Sequence, residues 1–404
     1  MPFEKPLGDN QAPAPALSRG LTVIMAASCG AVAANLYYAQ PLIALISPDV
    51  GLSPAAAGLP VTLTQIGYGI GLLLVVPAGD LVENRRLLTA TLCATAALLV
   101  AAGSAPWAGL FLMASLMIGI MAVGAQILVP LAASMTPPEG RGAVVGNVMS
   151  GLLVGILLAR PISSLMAASF GWRAVFYFSA VVMTMMALAL SRILPRRVPA
   201  GGFSYVALLA SLVHLVRDTP VLRRKALYHM AFFANFSLFW TAVPLQLASS
   251  AFGFTQRGIA MFALAGAAGA IFAPFAGRFA DRGWSKAVTA TSMALAVVAF
   301  PLAYLGGTYG SLPTLLAAAL LLDIGVTGNL IVGQRAINQL GNEHRSRLNG
   351  LYVAAFYFGG AIGSAVAAFA FSHEGWGGVS AIGLAVAIAA ILYFAFEVWR
   401  GREG

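Results

Sequence analysis

Apolar stretches long enough to cross a bilayer recur along nearly the whole chain, and nothing else in the sequence constrains the fold as much. A helix rises about 1.5 Å per residue, so roughly 20 apolar residues cross a hydrocarbon layer about 30 Å thick. Such stretches fall near residues 20–46, 55–79, 87–103, 107–134, 142–169 and 173–194. A second set falls near 225–250, 257–277, 286–306, 311–334, 346–371 and 376–398. Helices satisfy their own backbone hydrogen bonds in lipid, and the short alternating strands of a membrane barrel are absent. Of the 404 residues 60% are hydrophobic and 9% charged, whereas a soluble domain carries about 25% charged residues. The expected fold is therefore an all-α membrane protein with 12 transmembrane helices.

The basic residues set the expected topology. Of the 23 Lys and Arg, only Arg173 and Arg257 fall on one side of the spans, and Arg160 lies within a span. The others fall on the side that holds the N-terminus, which the positive-inside rule assigns to the cytoplasm along with the C-terminus. The net charge of +10 is thus a topology signal and gives no reason to expect nucleic acid. Cys29 and Cys93 sit in apolar segments, so neither a disulfide nor a metal site is expected. No cleaved signal is read at the N-terminus.

The spans fall into two sets of six. The expected organisation is a tail at 1–19, a six-helix half at 20–194, a linker at 195–224, a second half at 225–398 and a short tail at 399–404, with both tails and the linker cytoplasmic. In the linker, SYVALLASLVHLVRD reads either as a helix lying on the membrane surface, His214 included, or as a plain tether. An offset of 204 aligns Glu139 with Glu343, Arg141 with Arg345, Gly146 with Gly350, Gly155 with Gly359, and Gly171-Trp172 with Gly375-Trp376. An offset of 201 aligns Asp80 with Asp281. The chain reads as two parallel six-helix pseudo-repeats, a plan that puts a substrate site between them near the midplane.

The loop Gly277-Arg-Phe-Ala-Asp281-Arg282-Gly-Trp-Ser-Lys286 resembles the G-x-L-a-D-R-x-G-R-K loop of the major facilitator superfamily. Its first-half counterpart, from Pro77 through Asp80 to Arg85 and Arg86, is looser. Gly171-Trp172-Arg173 is also similar to that superfamily. The run Asn35-Leu-Tyr37-Tyr38-Ala-Gln40-Pro41, with Gly151, Gly155, Arg160 and Pro161, resembles a bacterial branch of sugar and drug efflux permeases. The resemblance implies the major facilitator fold, an inner-membrane location and solute transport. Two positions depart from the drug/proton antiporter pattern. Ser115 stands where those proteins carry an arginine, and Ser163 and Ser164 stand where paired glycines would.

Asp323 is the one acid read in the middle of a span. Intramembrane carboxylates are costly and tend to mark ion or substrate paths, so Asp323 is the expected proton site, although a structural acid held by a fixed partner fits the position too. Thr327, one turn on, could bond to it. Arg160 is the one mid-span base, at a similar depth in the other half. The two could pair, directly or through water, in one state of a transport cycle. Alternatively Arg160 could hold an anionic substrate.

Asn35, Tyr37, Tyr38, Gln40, Gln65, Tyr68, Asn235, Phe239, Trp240, Thr327 and Asn329 are expected to line the substrate cavity, although polar side chains also hold membrane helices together. His229 reads as interfacial. Asp80, Arg85, Arg86, Glu139 and Arg141, with Asp281, Arg282, Lys286, Glu343 and Arg345, read as an inner gate, a role the resemblance supports; topology marking and helix-end electrostatics are the plain alternative.

The expected function is secondary transport of a small organic solute by alternating access, as proton-coupled efflux. Proton-independent uptake or facilitated passage of a small metabolite is the alternative. The expected partners are the solute, protons and the bilayer, with the chain a monomer. A non-transporting sensor remains a further reading. No catalytic, metal or cofactor pattern is found.

Overall fold

The computed structural model describes residues 18–196, 204–266, 278–279, 282–340 and 345–401, with the side chain of Arg345 excepted. Asp281 and Glu343, both expected at the inner gate, lie outside the described residues.

Helix ends follow local chemistry. Ser18 caps α1 (Arg19–Ala34), its hydroxyl accepting from the Leu21 N–H at 3.2 Å. The first span does not continue as one helix. It unwinds after Ala34, passes through a 3-10 turn at Gln40–Leu42, and resumes as α2 (Ile43–Asp49). Pro41 lacks the N–H that a continuous helix needs, so the expected single span 20–46 is a broken helix. α3 (Leu59–Ala78) and α4 (Asn84–Gly103) follow. The fourth span divides into α5 (Ala108–Met121) and α6 (Gly124–Ser134). α7 (Pro138–Phe170) ends at Gly171, whose φ of 80° stops it, and α8 (Trp172–Ile193) closes the first set.

The linker segment forms a helix, α9 (Tyr205–Asp218), capped by Ser204. It is tied to the bundle by Tyr205 Oη, which donates to the Leu74 carbonyl at 2.8 Å, and by Arg347, whose Nη1 donates to Ser211 Oγ at 2.8 Å. α10 (Pro220–Ala248) begins earlier than the expected span, because Pro220 suits a helix's first turn and the basic residues after it are already helical. α11 (Gln256–Gly266), α12 (Ser285–Thr308) and α13 (Leu312–Asn338) follow. α14 (Arg345–Trp399) breaks at Gly375, with φ 63° and ψ −157°, and so makes two passages.

Among the described residues nine helices are long and apolar enough to span. The second passage of α14, the broken first span and α11 at the expected eighth segment are consistent with the twelve passages expected. The burial pattern is inside-out. On α8, Val175, Ser179, Met183 and Leu190 are buried, while Phe178, Val181, Met185 and Leu188 on the opposite face are exposed, as lipid requires. The repeat shows in three dimensions as well. Gly171 and Gly375 break their helices at equivalent points. The following tryptophans each donate an indole N–H, Trp172 to Asp49 at 2.8 Å and Trp376 to the Ala303 carbonyl at 2.7 Å.

Close packing within the halves comes from α1 on α7, α3 on α5, α4 on α8 and α10 on α14. The halves meet where α3 packs on α14 and α7 on α11. The ends of α3 and α6 and the start of α14 meet around one cavity, and at the same end the start of α10 meets the end of α14, where Arg224 lies 3.9 Å from Glu397; this end of the bundle is called the terminal face below.

Candidate substrate and coupling site

The centre of the bundle holds one buried cation and one buried anion from different halves. Arg160 on α7 is 7% exposed and Asp323 on α13 is 9% exposed. Among the described residues they form no direct ion pair, and Trp240 of α10 stands between them. Its indole Nε1 donates to Asp323 Oδ1 at 2.9 Å, and its ring lies 4.8 Å from the Arg160 guanidinium carbon. The rings of Tyr37 and Phe236 lie 5.0 Å from the same carbon. Such contacts contribute about 2 kcal/mol each when water is excluded.

Arg160 is aimed by the broken first helix. Its Nε donates to Gln40 Oε1 at 2.8 Å, and Gln40 Nε2 donates onward to Thr241 Oγ1 of α10 at 3.3 Å. Arg160 Nη2 is buried and has no hydrogen-bond partner. The site thus has a firmly held guanidinium with one open donor, walled by aromatic rings. Side chains that the unwound segment places near the midplane do the holding, as discontinuous helices do in carriers.

On the side away from the terminal face the two halves are sealed by neutral hydrogen bonds. Thr62 and Ser364 hydroxyls lie 2.9 Å apart, and Gln65 Nε2 donates to Ser237 Oγ at 2.9 Å. Gly58 belongs to the same seam, since a Cβ there would run into the Ser364 carbonyl. Deeper in, Tyr37 and Tyr357 hydroxyls lie 3.1 Å apart, and Tyr68 packs on Tyr357 with ring centroids 4.4 Å apart. Gln126 Nε2 donates to Tyr68 Oη at 3.3 Å.

From the terminal face a cavity of about 260 Å³ reaches inward to Gln126, lined also by Gly79, Asp80, Asn84, Ser134 and Ser346. The tyrosine cluster separates this cavity from Arg160.

The structure brings together Tyr37, Gln40, Trp240, Arg160 and Asp323, with Gln65 and Tyr68 on the seam beside them. It does not bring in every expected residue. Asn35 fastens the end of α1. Its Nδ2 donates to the Ala31 and Val32 carbonyls, at 3.0 and 3.2 Å, and its Oδ1 accepts from Ser179 at 2.7 Å. Tyr38 lies beside the same Ser179. Asn235 faces a crevice with Phe232, Met293 and Ala387, inside the second half, because it sits on the opposite side of α10 from Trp240. Phe239 packs behind Trp240 and against Trp376, with centroids 5.7 and 5.9 Å away. Among the described residues Thr327 makes no hydrogen bond to Asp323, whose side chain is held by Trp240. Asn329 bonds to His229 Nδ1 at 3.3 Å. His229 is fully buried rather than interfacial, because α10 begins nine residues before it.

The expected inner-gate residues make local contacts in this state. Asp80 lines the cavity mouth. Arg86 pairs with Glu83 at 3.0 Å, Arg85 donates to the Leu194 carbonyl at 3.3 Å, and Arg141 donates to the Thr136 carbonyl at 3.5 Å. Glu139 sits in the first turn of α7, and Arg282 and Lys286 are exposed. Sequence reasoning missed Tyr357, Gln126, Thr241, Ser237 and Ser364. It also missed Glu397, which accepts from Tyr228 Oη at 2.5 Å and lies 3.9 Å from Arg224. An aromatic or polar residue inside a small-residue run, such as Tyr357 before Gly359-Gly360, was the available signal.

Two packed helical sets around a central charged site, with a cavity reaching in from one face and a hydrogen-bonded seam at the other, have the plan of a membrane carrier. The family described as Major Facilitator Superfamily matches residues 24–228 and 225–403, and the chain belongs to it. It is 40% identical over 386 residues to the uncharacterized transporter YgaY of Escherichia coli O157:H7, covering 95% of this chain and 96% of that protein. It is 37% identical over 373 residues to a probable transporter of Streptomyces coelicolor, covering 92% and 86%. Among solved structures, the nucleoside transporter NupG superposes with a TM-score of 0.75 at 14% identity, covering 93% of this chain and 99% of that one. A D-xylose-proton symporter gives a TM-score of 0.68 at 15% identity, covering 92% and 97%. The chain is a multi-pass membrane transporter of a small solute, not an enzyme, and its bacterial relatives place such proteins in the inner membrane.

Proposed function

We propose that the chain is a proton-coupled exporter, an antiporter that exchanges a small organic solute for protons by alternating access. The observation that carries this reading is Trp240, which joins two buried opposite charges from different halves. A proton on Asp323 removes the charge that strengthens the Trp240 hydrogen bond. The ring that walls the Arg160 pocket is then released, and with it the contact between the halves. Solute entering from the terminal face first meets the tyrosine cluster, and it reaches the open Nη2 of Arg160 and the surrounding rings once that cluster parts. Export as the direction is supported by the likeness of the first and fifth spans to efflux permeases.

The terminal face is assigned to the cytoplasm, because the basic residues gather there. On this assignment the cavity of about 260 Å³ opens toward the cytoplasm. The inner-gate side chains, Asp80, Arg85, Arg86, Glu139 and Arg141 with Asp281, Arg282, Lys286, Glu343 and Arg345, are proposed to pair when that face closes. Each exposed pair contributes under about 1 kcal/mol, so they act as a set.

The test is proton release by purified protein on addition of solutes from a panel of sugars, drugs, amino acids and organic anions. Wild type is expected to release protons with at least one solute, and Asp323→Asn to bind that solute without release. If both proteins bind a solute and neither releases protons, the coupled reading fails. Proton-independent passage then takes its place.

A further inference from the structure

The second half contains a buried polar cluster that the transport site does not use. His229 on α10 is fully buried, and its Nε2 has no hydrogen-bond partner. Its ring is stacked between Tyr352, at 4.7 Å and 4°, and Phe356, at 4.1 Å and 23°, both on α14. The Tyr352 hydroxyl is likewise buried and unpartnered, and it sits against Gly333 of α13, where a Cβ would collide with it. Two unsatisfied polar atoms on stacked rings mark a place where a mobile polar species belongs, since buried groups otherwise find partners.

The repeat sharpens the point. Gly155 packs on Gly30 as Gly359 packs on Met230, so the first helices of the two halves correspond with an offset of 200. Spans Ala108–Ser134 and Leu312–Asn338 correspond with an offset of 204, as do the fifth and eleventh. The counterparts of His229, Asn329 and Tyr352 are then Cys29, Ala125 and Val148, all buried. None of these three carries a hydroxyl, an amide or a ring nitrogen. The polar trio is found only in the half that carries Asp323.

We propose that His229, with Asn329 and Tyr352, is the proton station between Asp323 and the terminal face. This rests on Asp323 being the coupling carboxyl. Asn329 lies six residues from Asp323 toward that face, about 9 Å along the helix, and the proposed route crosses that distance by water. The proton leaves the Asp323 carboxyl, passes along water to one ring nitrogen of His229, and departs from the ring toward the terminal face; no other bond changes. Asn329 suits this task because an amide can donate to Nδ1 or, turned over, accept from it, and so serves either tautomer. Tyr228, Glu397 and Lys225 are the titratable neighbours on this side of α10. The neighbouring Tyr228 hydroxyl donates to Glu397, and Lys225 lies over the Tyr228 ring at 5.6 Å. Phe356 and Phe233, stacked at 3.5 Å, fill the rest of that face of α10.

Trp240 provides the probe, because it touches Asp323 directly. The full chain is reconstituted in lipid nanodiscs, and tryptophan emission is followed after a rapid pH jump. The Trp240 component is defined by its absence in Trp240→Phe, and the Asp323 component by its absence in Asp323→Asn. In His229→Gln, which fills the space but does not carry a proton, the endpoint titration is expected to match wild type. Its rate is expected to fall tenfold or more. Added imidazole is expected to restore part of the rate in His229→Ala, which a purely structural role would not allow. Tyr352→Phe gives a second, smaller slowing should the His229 variants fold poorly. Wild-type rates in His229→Gln and Tyr352→Phe overturn the station while leaving Asp323 in place. A wild-type signal that Asp323→Asn does not remove overturns both this inference and the coupling role of Asp323.

Discussion

At the residue scale the site depends on directional contacts rather than on charge alone. Arg160 is held through Nε by Gln40 and faced by three rings, which leaves Nη2 free. Lysine keeps the charge but lacks the planar fork. Arg160→Lys is therefore expected to weaken solute-dependent proton release by about 10- to 100-fold, the equivalent of one hydrogen bond to a charged group at 1.5–3 kcal/mol. A wild-type response from Arg160→Lys would remove Arg160 from the binding contacts. The charged residues of this site were legible in the sequence, because an ionised group in lipid is expensive and so stands out. Of the uncharged ones, Tyr37, Gln40 and Trp240 were in view, but nothing in the sequence set them apart from neighbours that face elsewhere. Asn35 and Asn235 look like Gln40 in sequence, since helical spacing gives a residue's face but not what that face meets. Asn35 turned out to fasten α1 to α8, and Asn235 to face the interior of its own half. His229 was misplaced for a different reason: the apolar run after Lys225 set the expected start of the span, and α10 begins at Pro220.

At the scale of elements, small residues set which helices touch. Gly155 and Gly30 meet backbone to backbone between α7 and α1: a Cβ on Gly155 would overlap Gly30, and one on Gly30 would overlap the Gly151 carbonyl. Gly146, on the same α7, has open space around it. Gly155→Leu is expected to lower stability by about 1–3 kcal/mol, the usual effect of overpacking. Gly146→Leu should leave it nearly unchanged, with thermal unfolding of the purified proteins as the measurement. Equal melting temperatures would show that the α1–α7 seam yields easily.

The link between α2 and α8 is of another kind. Asp49, outside the spans, accepts from Trp172 and from Arg173, and these bonds, Trp172 first, hold its carboxyl below the usual range. A depressed folded-state value means the contribution is complete above the unfolded value, near 3.9, and is lost as pH falls through the folded one. Asp49→Asn is accordingly expected to melt below wild type at neutral pH. The gap between the two should close as the pH is taken well under 4. A gap that stays constant through that range would mean the carboxylate charge does not matter. Helix order and the duplication were readable from apolar length and the recurring glycines. The break in the first span was not, although Pro41 was in view, because a proline in a membrane helix often leaves only a kink.

For the whole molecule, the two faces are closed by different chemistry. Four neutral cross-half contacts, Gln40–Thr241, Tyr37–Tyr357, Gln65–Ser237 and Thr62–Ser364, hold the side away from the termini. At about 1 kcal/mol each they amount to a few kcal/mol, which a set of weak surface ion pairs at the other face can offset. Two states that close in energy are what a carrier needs, since a solute or proton can then shift the balance. The Thr62 and Ser364 Oγ atoms are 2.9 Å apart, so sulfurs placed there meet. In a Cys93→Ser background, which removes the exposed native thiol while Cys29 stays buried, Thr62→Cys with Ser364→Cys is expected to cross-link on oxidation. Cross-linked protein should stop transporting, yet still bind solute supplied from the terminal face, because the cavity on that side does not depend on the seam opening. Reduction should restore transport. If the oxidised protein transported at the reduced rate, the seam would not open during the cycle. Alternating access would then need another hinge, and the neutral contacts would be static packing between the halves.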